Sequence, residues 1–418
     1  MHLIEELSWR GLIQDMTPGM AELLHQQTVK GYIGFDPTAD SLHIGSLLPL
    51  ILLVHLQRSG HHPIAVVGGG TGRIGDPSGK SVERTLLDEQ TLQYNLSRIE
   101  QQIKHILQKA GKPYTIVNND EWFKEMKFID FARDIGKHIT VNYMMAKESV
   151  KKRLESGLSF TEFTYQLMQA YDFYYLFTHY DCQLQMGGAD QWGNITTGIE
   201  LIRKLTGKEA YAFTCPLLTR TDGSKFGKSE SGENIWLDPQ KTSPYQFYQF
   251  WINLTDADAE KMIKIFTFLN QEEIDLLIDS HRQQPDKRIL QKKLAEEVTR
   301  FVHGDEGLQQ AIETTSKLFG KTTDVLPDES ELKTMEGVKR MVLPYADHHV
   351  ELLTLLTEKT KIFPSRGEAR RMIQNGGLYL NKQKVMDTSK NIHHEDLLYG
   401  KYLLIQKGKK HYYLIEFT

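Results

Sequence analysis

The chain has 418 residues, 40% hydrophobic and 25% charged, a balance that excludes disordered and fibrous proteins and leaves room for two or three domains with cores of their own. Its two cysteines, Cys182 and Cys215, stand far apart with no Cys-x-x-Cys, which excludes a disulfide framework and a zinc knuckle and fits a reducing cytoplasm. The formal charge of −4 hides an asymmetry: segment 351–418 carries 12 Lys and Arg against 7 Asp and Glu, a net +5, and the remainder stands at −9.

At the N-terminus, Glu5, Glu6 and Arg10 occupy positions where a signal peptide needs an apolar run. The longest such run, Leu47 to Val54, contains Pro49 and is too short to cross a bilayer. Through the first ~220 residues, β-rich runs (VKGYIGF, PIAVVG, YTIVN, CQLQMG, YAFT) alternate with helical patterns such as Leu42–Ser59 and Leu86–Ala110, the signature of a parallel sheet wrapped by helices. A helical insertion over 120–180 splits the alternation, so a ligand cleft is expected at the switch point between its halves. From Ser243 to Leu318 only helical spacing remains, and the polar, Pro327-broken stretch 320–345 reads as a linker. Beyond it come a short basic helix closed by Gly376 and Gly377, then strands ending in the hairpin YLLIQKGKKHYYLIEF. A basic end on an acidic body invites a polyanionic partner, although a merely solvated basic face gives the same count.

Two strand-to-helix or loop segments carry chemistry. GYIGFDPTADSLHIGS, residues 31–46, ends a strand and opens a helix with His43 at the join, where free N–H groups and the helix dipole favour phosphate. About 180 residues later KFGKS, Lys225 to Ser229, offers two lysines among small residues. Other Gly-rich signals are weaker. Gly70, Gly72 and Gly75 spell G-x-G-x-x-G with Asp88 or Glu89 downstream, but turn chemistry continues through Pro77 and Gly79, so the loop is expected to approach a ligand without being a dinucleotide fingerprint. Neither GKS triplet has the glycine that a P-loop requires five residues before it. On the predicted helix near 165–172, Tyr165, Gln169 and Asp172 share one face, and Gln and Asp on an aromatic stripe point to a lined pocket.

HIGS and KFGKS on a split α/β body resemble the HIGH and KMSKS signatures of class I aminoacyl-tRNA synthetases. With GFDPTADSLHIG, GDPSGK, NYMMAKESV, SFTEFTYQLMQAYDF, GGADQWGN, KFGKSESG and TSPYQFYQFWIN in order along nearly the whole chain, the sequence resembles the bacterial tyrosyl-tRNA synthetase family. Two departures stand out: Ser46 replaces the second signature histidine, keeping a hydroxyl donor, and Phe226-Gly227 fills the middle of KMSKS.

The resemblance implies an α/β fold: a Rossmann-like parallel-sheet catalytic domain over 1–225, a helical anticodon-arm domain over 226–320 with KFGKS at its start, a linker over 320–345, and a small α+β RNA-binding domain of ribosomal-protein type over 346–418. It implies ATP as a substrate with Mg2+, no structural metal, tyrosine and tRNA(Tyr) as partners, a cytoplasmic homodimer contacting through the helical insertion, and no membrane. Thr38 and His43 would contact the phosphates, and Lys80, Arg84, Lys225 and Lys228 would close over them on loops. Asp36, Ser46, Gly188 and Asp190 would complete the ATP site. Tyr165, Gln169 and Asp76 would hold the substrate ammonium, Gln191 its carboxylate, and Tyr32 and Asp172 its phenolic hydroxyl. Arg366, Arg370, Arg371, Lys382 and Lys384 would meet RNA phosphates. Plainer readings coexist: lysines in solvent, Asp190 as a helix N-cap, and a solvated basic helix. A tryptophan-specific relative, a nucleotidyltransferase sharing the His-x-Gly join, and a silent RNA-binding relative are the competing functions.

Overall fold

A computed structural model describes residues 2–78, 86–154, 157–224, 226–228, 232–319, 326, 329, 332, 338–408 and 411–418. Its chain forms two compact units, one of Met1–Thr242 with Gln249–Val302, the other of Ser243–Tyr248 with His303–Thr418.

The first unit is built on strands β1 (Asp15–Met16), β2 (Lys30–Phe35), β3 (His62–Val67), β4 (Thr115–Asn118), β5 (Cys182–Gly188) and β6 (Tyr211–Cys215), in the order β1-β6-β5-β2-β3-β4. All neighbours pair parallel except β1, which closes one edge antiparallel to β6. Five strands match the expected β-rich runs. Covered on both faces by helices, a central strand needs apolar residues throughout rather than alternation, and Pro63 to Val67 of β3 are all buried. Helix α1 (Ile44–Arg58) follows β2 and is apolar almost all round, with 11 of its residues buried. Helices α2 (Glu89–Gln108), α3 (Phe160–Tyr180) and α4 (Trp192–Thr206) complete the wrap. Chain order runs β2, β3, β4 to one side and β5, β6 to the other, so the crevice expected at a switch point lies beyond the carboxyl ends of β2 and β5.

Of the helical domain expected over 226–320, residues 226–242 and 249–302 belong instead to this unit. The physical tie is Arg10, whose guanidinium donates to the carbonyls of Lys264 (2.6 Å), Thr267 (2.7 Å) and Leu269 (2.6 Å) at the end of helix α5 (Asp256–Phe266). An ion pair between Arg98 of α2 and buried Asp238 adds a second tie. The division falls instead between Val302 and His303, inside α6 (Ile289–Phe319) and beside Gly304, whose φ of 77° breaks the helical backbone.

The second unit holds strands β7 (Val338–Leu343), β8 (Val350–Glu351), β9 (Leu378–Leu380), β10 (Gln383–Lys384), β11 (Asn391–Ile392), β12 (Tyr402–Lys407) and β13 (His411–Phe417). Five make one sheet in the order β10-β9-β12-β13-β7, and β8 pairs with β11. Helix α7 (Arg366–Gln374) turns Ala369 and Ile373 into a core with Leu352, Leu356, Phe363 and Ile405. The expected hairpin is β12–β13. The linker expected over 320–345 ends too late: β7 lies within it and pairs parallel with β13, Val338 opposite Tyr412. Leu332 is also buried, against Tyr245, Tyr402 and Tyr412. Among the described residues no helix is long and apolar enough to cross a membrane.

Candidate active site

At the carboxyl end of β2, Asp36 joins two elements: its Oδ1 accepts from Thr71 Oγ1 and its Oδ2 from the Tyr165 hydroxyl of α3, both at 2.8 Å. The glycine run after β3 makes room for this. A β-carbon on Gly68 would stand 2.1 Å from Asp36 Oδ1, on Gly70 2.6 Å from Phe123 and on Gly72 2.7 Å from Pro37. Close packing of protein against protein accounts for Gly68, Gly70 and Gly72. Asp88, a possible acidic partner of a dinucleotide ribose, instead caps α2 by accepting from the Thr91 N–H at 2.9 Å.

Deeper in, the Asp172 carboxylate on α3 accepts from Trp122 Nε1 (2.8 Å) and Asn119 Nδ2 (3.1 Å), and Asn119 Nδ2 also reaches Thr71 Oγ1 at 2.9 Å. Burial raises the Asp172 carboxyl to about 8, with the two hydrogen bonds pulling the other way. Tyr32 of β2 is buried, its ring 5.4 Å from Phe173, and its hydroxyl oxygen has no hydrogen-bond partner among the described residues. Burial, reinforced by the charge of Asp172, holds the Tyr32 phenol far above its usual range. Tyr165 is raised likewise by burial and by Asp36 and Asp76. Tyr32, Tyr165 and Asp172 are therefore neutral or readily neutral groups in a low-dielectric site, able to exchange hydrogen bonds with an incoming hydroxyl or amine.

A second cluster surrounds Asn194 at the start of α4. Its Nδ2 lies 3.0 Å from Gln169 Oε1, and 3.3 Å from both Gln191 Oε1 and Ser78 Oγ. Gln191 Nε2 in turn donates to Asp76 Oδ2 at 2.6 Å, while Asp76 Oδ1 accepts the Ser78 N–H. Asp190 lies in the tight turn Ala189–Gln191, and the N-cap position of α4 belongs to Gln191 rather than, as the plainer reading had it, to Asp190. Gly188 admits the Asp190 carboxylate, which would stand 2.7 Å from a β-carbon there.

The two signature segments meet. His43 is the N-cap residue of α1, and its ring lies so close over Gly45 that a β-carbon there would be 2.7 Å from Cε1. The Ile44 N–H donates to Ile235 O (3.0 Å), and the Ile235 N–H donates to Gly227 O (3.2 Å). A β-carbon on Gly227, which has a φ of 107°, would come 3.7 Å from the Gly45 nitrogen. The side chain of Lys228 is exposed, its carbonyl accepts from Arg220 at 3.3 Å, and Thr38 is exposed on the loop before α1. Ser46 is half-buried in the first turn of α1, where its N–H donates to His43 O at 2.8 Å. Lys80, Arg84 and Lys225 lie outside the described residues.

In the second unit, Arg370 and Arg371 are exposed on α7 and Lys384 is exposed on β10. Its chain crosses Gly376 at the negative end of α7, where a β-carbon would meet the ammonium at 2.3 Å. Lys382 is half-buried with a φ of 66°. Arg366 is held by Glu351 and, at 3.4 Å, by Glu358.

Sequence reasoning missed Thr71, Asn119, Trp122 and Asn194. The first three follow the carboxyl ends of β3 and β4, a position that marks candidates in any parallel sheet; Asn194 closes the GGADQWGN segment.

The profile of the family described as tRNA synthetases class I (W and Y) matches residues 24–320, and that of the tyrosine--tRNA ligase SYY-like C-terminal domain matches 332–415. The chain belongs to the class I tRNA synthetases. Tyrosine--tRNA ligases of Bacteroides fragilis and Porphyromonas gingivalis are each 54% identical to it, over 99% of both chains. A solved class I synthetase, the C-terminally truncated mitochondrial tyrosyl-tRNA synthetase of Aspergillus nidulans, superposes with a TM-score of 0.69 at 31% identity, covering 76% of this chain and 94% of that one. Both profiles place a boundary between 320 and 332, within the expected linker.

Proposed function

We infer that this chain is a tyrosine–tRNA ligase: it joins tyrosine to ATP as tyrosyl-adenylate, releasing pyrophosphate, and passes the tyrosyl group to the 3′-terminal adenosine of tRNA(Tyr). The carrying observation is identity of 54% across the full length of tyrosine--tRNA ligases, and the buried, unpartnered Tyr32 hydroxyl next to Asp172 supports it. A ligand phenol there would pair with both groups. Phenylalanine would leave the Tyr32 hydroxyl unpaired and Asp172 with only its bonds from Trp122 and Asn119, and tyrosyl-tRNA synthetase is the standard example of that discrimination, with a ratio of about 10⁵ and no editing.

In this reading Tyr165, Gln169 and Asp76 take the substrate ammonium, Gln191 the carboxylate, and Asp190 the ribose, with Gly188 admitting the nucleotide. The tyrosine carboxylate then attacks the α-phosphorus of ATP. No covalent enzyme intermediate is needed, so rate comes from positioning and from charge stabilisation on the departing pyrophosphate. Thr38 and His43 serve that role from the strand-to-helix join, with Asp36 and Ser46 shaping the nucleotide site and Lys80, Arg84, Lys225 and Lys228 closing from loops. The backbone bonds linking Gly227, Ile235 and Ile44 support this pairing of segments. Mg2+ would enter with ATP as part of the substrate.

Arg370, Arg371, Lys382 and Lys384 carry the RNA-facing surface, with Arg366 beside them; phosphate contacts of this kind weaken as salt rises. Homodimerisation through the helical insertion is supported by exposed Phe128 (67%), Ile129 (73%), Val141 (57%) and Phe160 (68%), apolar surface that a second copy would cover. Two free, buried thiols fit a cytoplasmic setting.

ATP–pyrophosphate exchange measured with each of the twenty amino acids tests the assignment. Tyrosine should support exchange and tryptophan should not; the reverse would move the chain to the tryptophan branch, and exchange with neither would leave a silent RNA-binding relative.

A further inference from the structure

Four histidines gather at one end of the β8–β11 ladder. Val350 pairs with Ile392 and Glu351 with Asn391, so one step further His349 faces His393, and beyond them His348 faces His394. Their rings form a row, with centroids 5.6 Å apart from His393 to His349, 4.1 Å from His349 to His348 and 6.2 Å from His348 to His394. His349, His393 and His394 are exposed, whereas His348 is buried. Tyr345 orients two neighbouring rings of the row: its carbonyl accepts from His348 Nδ1, and its hydroxyl lies 2.8 Å from His394 Nδ1. With Nδ1 donating, neutral His348 keeps the lone pair on Nε2. Neither the active site nor the basic helix uses any of these residues.

Two imidazoles bound to one ion through bonds of about 2.0–2.1 Å hold their ring centroids roughly 4.5–6 Å apart. The His349–His393 pair already has that spacing. We propose that this row is a binding site for a late first-row divalent ion, such as Zn2+, Ni2+ or Cu2+, with His349 and His393 as the chelating pair and His348 adding a third nitrogen. Imidazole suits these ions, whereas Mg2+ and Ca2+ prefer oxygen. Among the described residues no three such groups already converge on one point; binding therefore requires His349 and His393 to turn about their side-chain torsions, which their exposure permits. The bond from His348 Nδ1 to a backbone carbonyl is the outer contact that ligating histidines ordinarily make, and it fixes both tautomer and ring direction. A bound ion would clamp two segments some forty residues apart and stabilise the C-terminal unit by mass action.

The test is equilibrium dialysis of the full-length, tag-free chain against Ni2+ alone and Zn2+ alone near neutral pH, repeated in excess Mg2+. One ion per chain should bind, Mg2+ should not compete, and His349→Ala with His393→Ala should weaken binding by at least about tenfold. Ni2+ should also raise the melting temperature of the parent and not that of the double variant. Both side chains are exposed, so an unchanged metal-free melting temperature verifies that the variant folds. Binding of equal strength in parent and variant, or none in the parent at millimolar ion, overturns the proposal.

Discussion

Tyr32 carries a hydroxyl buried without a partner among the described residues, a condition that costs about 1–3 kcal/mol until a ligand supplies one. Tyr32→Phe removes that cost, so the ligand-free variant should melt no lower than the parent. Its preference for tyrosine over phenylalanine should nevertheless fall about tenfold or more, as expected when one partner of a buried hydroxyl is lost. Calorimetry and pyrophosphate exchange with both amino acids check the two halves separately. Asp172 makes a pH prediction. Its carboxyl titrates at about 8 in the fold and near about 3.9 in an unfolded chain. Below about pH 4 both states hold the proton; between there and about pH 8 only the unfolded chain has lost it. Stability is thus fullest at the acid end of that window and declines as pH rises, by up to about 1.4 kcal/mol per unit. Asp172→Asn should flatten this slope in melting temperatures taken from about pH 5 to about pH 8, and an unchanged slope would assign it to other groups. Tyr165, Gln169 and Asp172 were legible in the sequence because polar residues on an aromatic helical stripe need a reason. Asn119 and Trp122 were not, since an Asn and a Trp after a short strand carry no periodic signal, and only the folded sheet brings them to Asp172.

Among the elements, the join of β2 to α1 depends on one missing methyl group. Gly45→Ala would press a β-carbon on the His43 ring while improving helix propensity by up to about 1 kcal/mol. Activation should drop by about a hundredfold, the effect of moving a catalytic group by about an ångström, with the melting temperature unchanged or raised. Single-turnover adenylate formation measures the first and thermal unfolding the second; equal losses in both would mean that the substitution damages the helix rather than the histidine. The β2 to α1 segment was readable because strand, turn and helix signals follow one another without conflict. Edges were harder. β1 is two residues long, too short for any alternation, and it pairs with a strand about 200 positions away. In β7, Lys339, Arg340 and Val342 are exposed, so a run lying directly after a polar, proline-broken stretch looks like its continuation.

At the scale of the whole molecule, the boundary expected near 225 failed because composition cannot report which earlier helix or strand a later helix will cover. The C-terminal unit was visible in its charge and hairpin, but its first strand was assigned to the linker. That matters for truncation. A cut near 350 would leave β7 without β13, whereas a chain ending near 320 removes the sheet intact. The shorter chain should keep pyrophosphate exchange and lose tRNA charging, both measured on one preparation; retained charging would remove the RNA-binding role from the C-terminal unit.

Arg10 adds a constraint on how the molecule is made. Three of the hydrogen bonds that hold its guanidinium end on carbonyls some 250 residues further along. During synthesis residues 264–269 must therefore have left the ribosome before Arg10 can lock into place, and until then that cation has only Glu6 and water for company. The segment around Arg10 can settle into this unit only after more than two hundred intervening residues have been made, a long-range closure of the kind that slows folding.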